Sequence, residues 1–156
     1  MTDQGTQKPA VRRKSFTYRT GITWVGQRAG ISHSGDKIPF RVASPPEFKG
    51  EAGVWTPEDL FVAALNSCQL MTFVSFAIKL GLPVASYESE AEGLLEFVDD
   101  GFRFTKVVLK PRVVVSDPEA VEAVRKALDD AHRACLVARS VLCEVVLEST
   151  VEVAER

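Results

Sequence analysis

The chain has 156 residues, with 19 Lys and Arg against 21 Asp and Glu and a net charge of −2 at pH 7. This length is sufficient for one domain with its own hydrophobic core. The balanced charge excludes the strongly basic surface that attracts nucleic acids or anionic membranes, so neither is expected as a partner.

The N-terminus is polar. Its first ten residues, MTDQGTQKPA, contain no apolar segment typical of a secretory signal. Residues 1–13 are therefore predicted to form a flexible tail, and residues 14–156 a single domain. With three cysteines, an odd number, and no export signal, a structural disulfide framework is not expected. The sequence predicts a cytoplasmic protein.

The N-terminal part of the domain has the pattern of β-structure. Residues 14–25 alternate between apolar and polar side chains, as a half-buried strand does. Residues 26–30, GQRAG, predict a turn, and residues 33–36, HSGD, suit a hairpin. Residues 37–43 predict another strand, which should lie at a sheet edge because Pro39 has no N–H to donate.

A long helix is predicted after a Pro- and Gly-rich loop at residues 44–55. Thr56 suits the N-cap and Pro57 the first helical position. The helix should end near Leu80, before Gly81, and at about 1.5 Å per residue it would be about 36 Å long. It is apolar on nearly every face, but its interior polar residues favour a buried core helix over a membrane span.

The remaining elements are two strands, a helix and a last strand. Residues 86–98 and 102–115 alternate and predict a hairpin closed by Asp-Asp-Gly at residues 99–101. Residues 117–119, DPE, open a second helix, and residues 144–153 predict a strand. This order predicts an α+β fold instead of a doubly wound parallel sheet. The apolar positions of the second helix recur at helical spacing: Val121, Val124, Leu128, Ala131 and Cys135.

The long apolar helix is difficult for one chain to cover. One antiparallel sheet covers one side, and a short second helix covers little more. A second copy of the chain would supply the missing surface. We therefore predict an obligate homodimer with a two-fold interface.

Cys68 lies in the middle of the long helix, within the segment NSCQLMTF, and two interpretations of it remain open. It is either a small core hydrophobe, since free cysteine is among the most buried residue types, or a reactive thiol. No Lys or Arg occurs from Asp59 to Ile78, so a thiolate would need a cation from elsewhere in the chain or from a partner subunit. Cys135 continues the apolar stripe of the second helix, and Cys143 is interpreted as structural.

The sequence does not have the residue spacing of a metal site. It contains no Cys-x-x-Cys pair, and its two histidines, His33 and His132, lie about 100 residues apart. No metal, flavin or nucleotide cofactor is predicted.

Three segments resemble the OsmC/Ohr family, the osmotically inducible protein C and organic hydroperoxide resistance proteins. Residues 56–73, TPEDLFVAALNSCQLMTF, resemble the central-helix motif, in which Glu58 and Cys68 keep the family spacing of ten. Residues 131–141, AHRACLVARSV, resemble the segment of the second cysteine. The GQRAG turn resembles a Gly-Gly-Arg-x-Gly loop, which places the family arginine at Arg28.

The resemblance covers roughly residues 15–153 and implies an OsmC-like fold, with antiparallel sheets around a long central helix in an intertwined homodimer. It also implies a thiol-dependent peroxidase that reduces organic hydroperoxides. By this pattern Cys68 would attack the peroxide, Cys135 would resolve the sulfenic acid to a disulfide, and a dithiol such as a lipoylated protein would reduce it. Arg28 would hold the thiolate, and Glu58 would orient Arg28.

The spacing of Glu58 and Cys68 adds a geometric expectation. Ten residues on one helix separate them by about 15 Å along its axis, so one arginine cannot touch both within a subunit. If both take part, the pair of Glu58 and Arg28 should come from one chain and Cys68 with Cys135 from the other. The site would then lie at the dimer interface.

The sequence departs from the family pattern beside the second cysteine. Leu136 stands where a proline is frequent, and Ala138 stands where a serine is frequent. The alternative function is a non-enzymatic dimer that binds a lipid-like or aromatic molecule in the same apolar cleft, with the cysteines as relics or redox sensors. For either function we expect an apolar pocket lined by Phe61, Leu65 and Phe73, which as an enzyme pocket would favour apolar hydroperoxides.

Overall fold

The computed structural model describes residues 14–155. The chain forms two compact units, one up to Val54 and a larger one from Trp55 onward. The predicted flexible tail, residues 1–13, lies outside the described residues. The assignment of residues 14–156 to a single domain stays a prediction.

The N-terminal unit contains a three-stranded antiparallel sheet. Its strands, in spatial order, are β1 (Gly21–Trp24), β2 (Ala29–His33) and β3 (Phe40–Ala43). Gly26, in the turn between β1 and β2, has φ of 104°, which glycine adopts most readily. The predicted first strand is wrong for residues 14–20, because β2 ends at His33 opposite Gly21 and offers them no further partner. β3 is an edge strand, as Pro39 predicts.

The long helix, α1, runs from Pro57 to Leu80, as the sequence predicts. A capping box fixes its start, since the Asp59 N–H donates to Thr56 Oγ1 at 3.1 Å and the Thr56 N–H donates to Asp59 Oδ2 at 3.0 Å. Gly81 ends the helix in the left-handed region, with φ of 62°. These local signals are the reason that the boundaries of α1 could be read from the sequence.

The C-terminal unit contains a four-stranded sheet and a second helix. Its elements are β4 (Val84–Val98), β5 (Gly101–Val115), α2 (Val121–Ala134), β6 (Glu144–Leu147) and β7 (Thr150–Val153). β4 and β5 form the predicted antiparallel hairpin. β6 and β7 pair with β5 in parallel, which the expectation of antiparallel sheets missed. The connection through α2 carries the chain back to the end of the sheet at which β5 begins. β6 and β7 therefore run in the same direction as β5.

Both helices pack on one face of this sheet. Buried residues of α1, β5 and α2 form the core; they include Leu65, Phe73, Leu109, Val113, Val124, Leu128 and Ala131. The apolar stripe predicted for α2 is confirmed, and Cys135 at its end is also fully buried. Gln69 of α1 donates from Nε2 to the Leu128 carbonyl at 3.1 Å, which ties the two helices together one residue beyond Cys68.

The opposite side of α1 is uncovered. Met71 is 60% exposed, Ile78 is 76% exposed and Leu80 is 57% exposed. By length and composition alone α1 could cross a membrane, and 22% of its most apolar stretch is buried. A single chain therefore leaves a large part of this apolar helix without cover, as the sequence predicts.

Candidate active site

The structure brings Cys68 and Cys135 together. Cys68 is half-buried in the middle of α1, and Thr72, one turn further along, places Oγ1 4.0 Å from its sulfur. Cys135 is the residue at which α2 ends, with its N–H bonded to the His132 carbonyl at 3.4 Å. The two side chains interact, and both are free thiols.

The two thiols differ in acidity. Burial raises the pKa of Cys68, but hydrogen bonds from the Cys135 thiol, the Val137 N–H, the Thr72 hydroxyl and the Leu136 N–H outweigh it, so this pKa lies below its usual value. Burial, followed by the interaction with Cys68, raises the pKa of Cys135. Of the two thiols Cys68 therefore loses its proton first, and it is the better nucleophile because thiolate is the reactive form.

A tight turn after α2 supplies the main-chain N–H groups that lie beside the sulfurs of Cys68 and Cys135. The Arg139 N–H bonds to the Cys135 carbonyl at 3.1 Å, and the Ala138 N–H reaches the Cys135 sulfur at 3.5 Å. This turn places Leu136 and Val137 beside Cys68. Sequence reasoning missed both residues, because main-chain donors have no signature in residue type. Thr72 could have been found from its i+4 spacing to Cys68 on a helix.

Glu58 lies in the first turn of α1, ten residues before Cys68. Its Oε2 atom is buried and has no hydrogen-bond partner among residues 14–155. A buried carboxylate oxygen without a donor is costly, so this atom needs a partner. Arg28 lies in the N-terminal unit, exposed in the turn between β1 and β2. The roles predicted for Glu58 and Arg28 stay predictions.

A cleft of about 480 Å³ opens in the C-terminal unit, beside the N-terminal half of α1. Phe61 lines it and stacks on Phe104, with ring centroids 4.6 Å apart. The expectation that Leu65 and Phe73 line a pocket is wrong, because both are fully buried in the core beneath α1. Phe61 precedes Cys68 by seven residues, so the cleft begins about 10 Å along the helix from the thiol.

Cys143 and Arg103 also line this cleft. Burial raises the pKa of Cys143, so it is a weaker nucleophile than Cys68 at neutral pH. Arg103 Nη2 is 3.8 Å from Asp99 Oδ2, and the Arg103 side chain is 62% exposed. Within the part of the chain that the structure describes, no group of three or more His, Cys, Asp or Glu could hold a metal ion.

The sequence pattern of one protein family, described as OsmC-like protein, matches residues 50–150. The matched region contains Glu58, Cys68 and Cys135. Arg28 lies outside it.

Two proteins are related to this chain by sequence. The chain is 24% identical over 130 residues to the uncharacterized protein YmaD of Bacillus subtilis, which covers 80% of this chain and 86% of YmaD. It is 31% identical over 101 residues to the peroxiredoxin OsmC of Escherichia coli, which covers 65% of this chain and 69% of that protein.

Solved structures share the fold. An OsmC-like protein of unknown function from Vibrio cholerae superimposes with a TM-score of 0.79 at 29% identity, over 86% of this chain and 99% of that one. An organic hydroperoxide resistance protein from Elizabethkingia anophelis superimposes with a TM-score of 0.71 at 19% identity, over 91% of this chain and 99% of that one. These structures confirm the predicted α+β fold. The chain belongs to the OsmC-like protein family.

Proposed function

We propose that this protein is a cysteine-based peroxidase that reduces organic hydroperoxides, with Cys68 as the peroxidatic and Cys135 as the resolving cysteine. The observation that carries the proposal is the contact between two free thiols of opposite pKa shift. An acidic thiol beside a protonated one is the arrangement that peroxide reduction by a cysteine pair requires.

The chemistry follows from this arrangement. The Cys68 thiolate attacks one peroxide oxygen and breaks the O–O bond, which gives a sulfenic acid and an alkoxide that takes up a proton to leave as the alcohol. The Cys135 thiol then attacks the sulfenic sulfur, and a disulfide and water form. A dithiol, for example a lipoylated protein, reduces the disulfide by exchange and is itself oxidised. Because Cys135 is buried next to Cys68, resolution competes well with further oxidation.

Similarity to named proteins supports this chemistry. The protein that is 31% identical is a peroxiredoxin. The similar structure from Elizabethkingia anophelis is that of an organic hydroperoxide resistance protein. Cytoplasmic location remains part of the proposal, because a reducing compartment would keep all three cysteines as the free thiols that the reaction needs.

The proposal includes a homodimer with its sites at the interface. The exposed apolar side of α1, with Met71, Ile78 and Leu80, needs a cover that a second copy would provide. The buried Oε2 atom of Glu58 needs a donor, and an arginine is suited to bind a carboxylate and a thiolate at once. In this proposal Arg28 and Glu58 of one protomer complete the site that contains Cys68 of its partner.

The decisive experiment is consumption of cumene hydroperoxide with dihydrolipoamide as reductant. Wild type should turn over, Cys68→Ser should lose turnover completely, and Cys135→Ser should oxidise once and then stop. Cys143→Ser is the matched control, because it removes a thiol outside the pair and should retain turnover. Equal rates for wild type and Cys68→Ser would refute the peroxidase.

The second candidate function is binding of a lipid-like or aromatic molecule without catalysis. The stacked pair of Phe61 and Phe104 beside the cationic Arg103 favours it, since such a cleft fits an apolar or aromatic group with an anionic end. Fluorescence titration with an aromatic carboxylate separates the two candidates. Binding that persists in Cys68→Ser, together with no peroxide consumption by wild type, would favour the binding protein.

A further inference from the structure

We infer that His132 is a positioning residue for the resolving step, because its ring ties the end of α2 to β6 and thereby places Cys135. This inference deepens the proposed function and rests on it in taking Cys135 as the resolving thiol. The ring acts through the backbone of α2 and not on the sulfurs themselves.

The His132 ring joins two elements that a loop separates. Its Nε2 atom lies 3.1 Å from the carbonyl oxygen of Val145 in β6. A carbonyl oxygen can only accept, so Nε2 carries the ring hydrogen and donates it. Val145 is held in turn, because β6 pairs with β5 in a register that sets Val145 beside the fully buried Val107. The bond therefore connects the end of α2, through β6, to the sheet.

Cys135 lies just inside the loop that this bond closes. The loop comprises residues 133–144, and Cys135 stands at its start with its N–H bonded to the His132 carbonyl at 3.4 Å. A second bond holds α2 on α1, since Gln69 Nε2 donates to the Leu128 carbonyl at 3.1 Å, about one turn before His132. The end of α2 is thus fixed both to the helix that carries the attacking thiol and to the sheet. Loss of the bond to β6 would widen the range of positions that Cys135 samples.

The two ring nitrogens differ in a way that selects the variants. Nε2 has its partner in Val145, whereas Nδ1 is buried and has no hydrogen-bond partner within residues 14–155. The amide nitrogen of glutamine is as many bonds from the backbone as Nε2, and that of asparagine is as many as Nδ1. His132→Gln therefore keeps a donor for the Val145 carbonyl, and His132→Asn withdraws it, with a polar amide in both variants.

The test is the stability of the disulfide between Cys68 and Cys135 in the full-length protein, at equilibrium with oxidised and reduced dithiothreitol, which accept and supply the electron pair. Mass spectrometry after alkylation of the remaining thiols quantifies it. His132→Asn should lower the equilibrium constant for disulfide formation about fivefold, the effect of one neutral hydrogen bond, because a less restrained Cys135 meets Cys68 less often. His132→Gln should match wild type. A constant unchanged in His132→Asn, or an equal loss in both variants, would overturn the inference.

A second measurement needs no variant. In the wild-type protein the neutral His132 ring should carry its hydrogen on Nε2, the atom that faces Val145. Long-range nitrogen–proton correlation by NMR identifies the tautomer. A hydrogen on Nδ1 would contradict the inference, even if both variants failed to fold.

Turnover of cumene hydroperoxide separates this inference from the proposed function. If His132→Asn weakens the disulfide and His132→Gln does not, while wild type consumes no peroxide, the positioning role stands and the peroxidase fails. If wild type turns over and both variants keep the disulfide stability of wild type, the peroxidase stands and the positioning role fails. A wild-type protein that forms no such disulfide would contradict both.

Discussion

At the scale of single residues, the acidity of Cys68 depends on several weak donors. Burial opposes the thiolate, and the Cys135 thiol is the largest of the contributions that favour it. Apolar neighbours on α1 would by themselves make Cys68 inert. Its lowered pKa is therefore a property of the contact between α1 and the turn that follows α2.

Removing the thiol donor should make Cys68 less acidic. Because a hydroxyl can still donate, Cys135→Ser should keep the pH profile of Cys68 alkylation close to wild type, whereas Cys135→Ala should move it to higher pH. The measurement is alkylation rate against pH. A profile unchanged in Cys135→Ala would show that the two side chains do not share a proton.

Thr72 allows a smaller change of the same kind. Its hydroxyl lies 4.0 Å from the Cys68 sulfur and contributes to the lowered pKa. Thr72→Val keeps the shape and removes the hydroxyl, so at pH 7 oxidation of Cys68 by cumene hydroperoxide should slow by a few-fold, with the rate recovering as pH rises. Thr72→Ser is the control and should behave as wild type; an equal loss in both would point to packing instead.

At the scale of elements, the helices were more predictable than the site. The bounds of α1 follow from Thr56 and Gly81, which act within a few residues of the ends they fix. The parallel pairing of β6 and β7 with β5 depends on a crossover of about 30 residues, and no local pattern encodes it. Among the site residues, Cys68 and Cys135 could be identified from the family resemblance, but the donors at Leu136 and Val137 depend on tertiary contact.

The N-cap of α1 can be tested directly. Thr56→Ala removes the side-chain acceptor of the capping box and should lower the stability of the protein by about 1 kcal/mol. Thr56→Ser keeps the acceptor and should cost much less. Chemical denaturation measures both, and equal stabilities of the two variants would mean that the cap does not stabilise α1 as the geometry implies.

At the scale of the whole molecule, the uncovered side of α1 determines the predicted assembly. Ile78 is an apolar side chain of α1 that is highly exposed, and it does not belong to the core of the single chain. A buried acid at an apolar interface is costly, so Ile78→Glu should dissociate the proposed dimer without unfolding the protomer. Ala123→Glu, on the exposed face of α2, should leave assembly unchanged.

Sedimentation velocity of wild type and both variants checks this prediction. Wild type and Ala123→Glu should sediment as dimers and Ile78→Glu as a monomer. If the sites are shared between protomers, Ile78→Glu should also lose peroxide turnover while its Cys68 remains open to alkylation. A monomeric wild type with full turnover would exclude a shared site.

In the proposed reaction the turn after α2 would have two roles. It carries Cys135, the proposed resolving thiol, and its N–H groups contribute to the lowered pKa of Cys68, the proposed attacking thiol. Bond formation between the sulfurs would draw this segment toward α1 and end its support of a negative charge. Reduction of the disulfide would then have to release this turn again before its N–H groups could lower the pKa of Cys68 for the next peroxide.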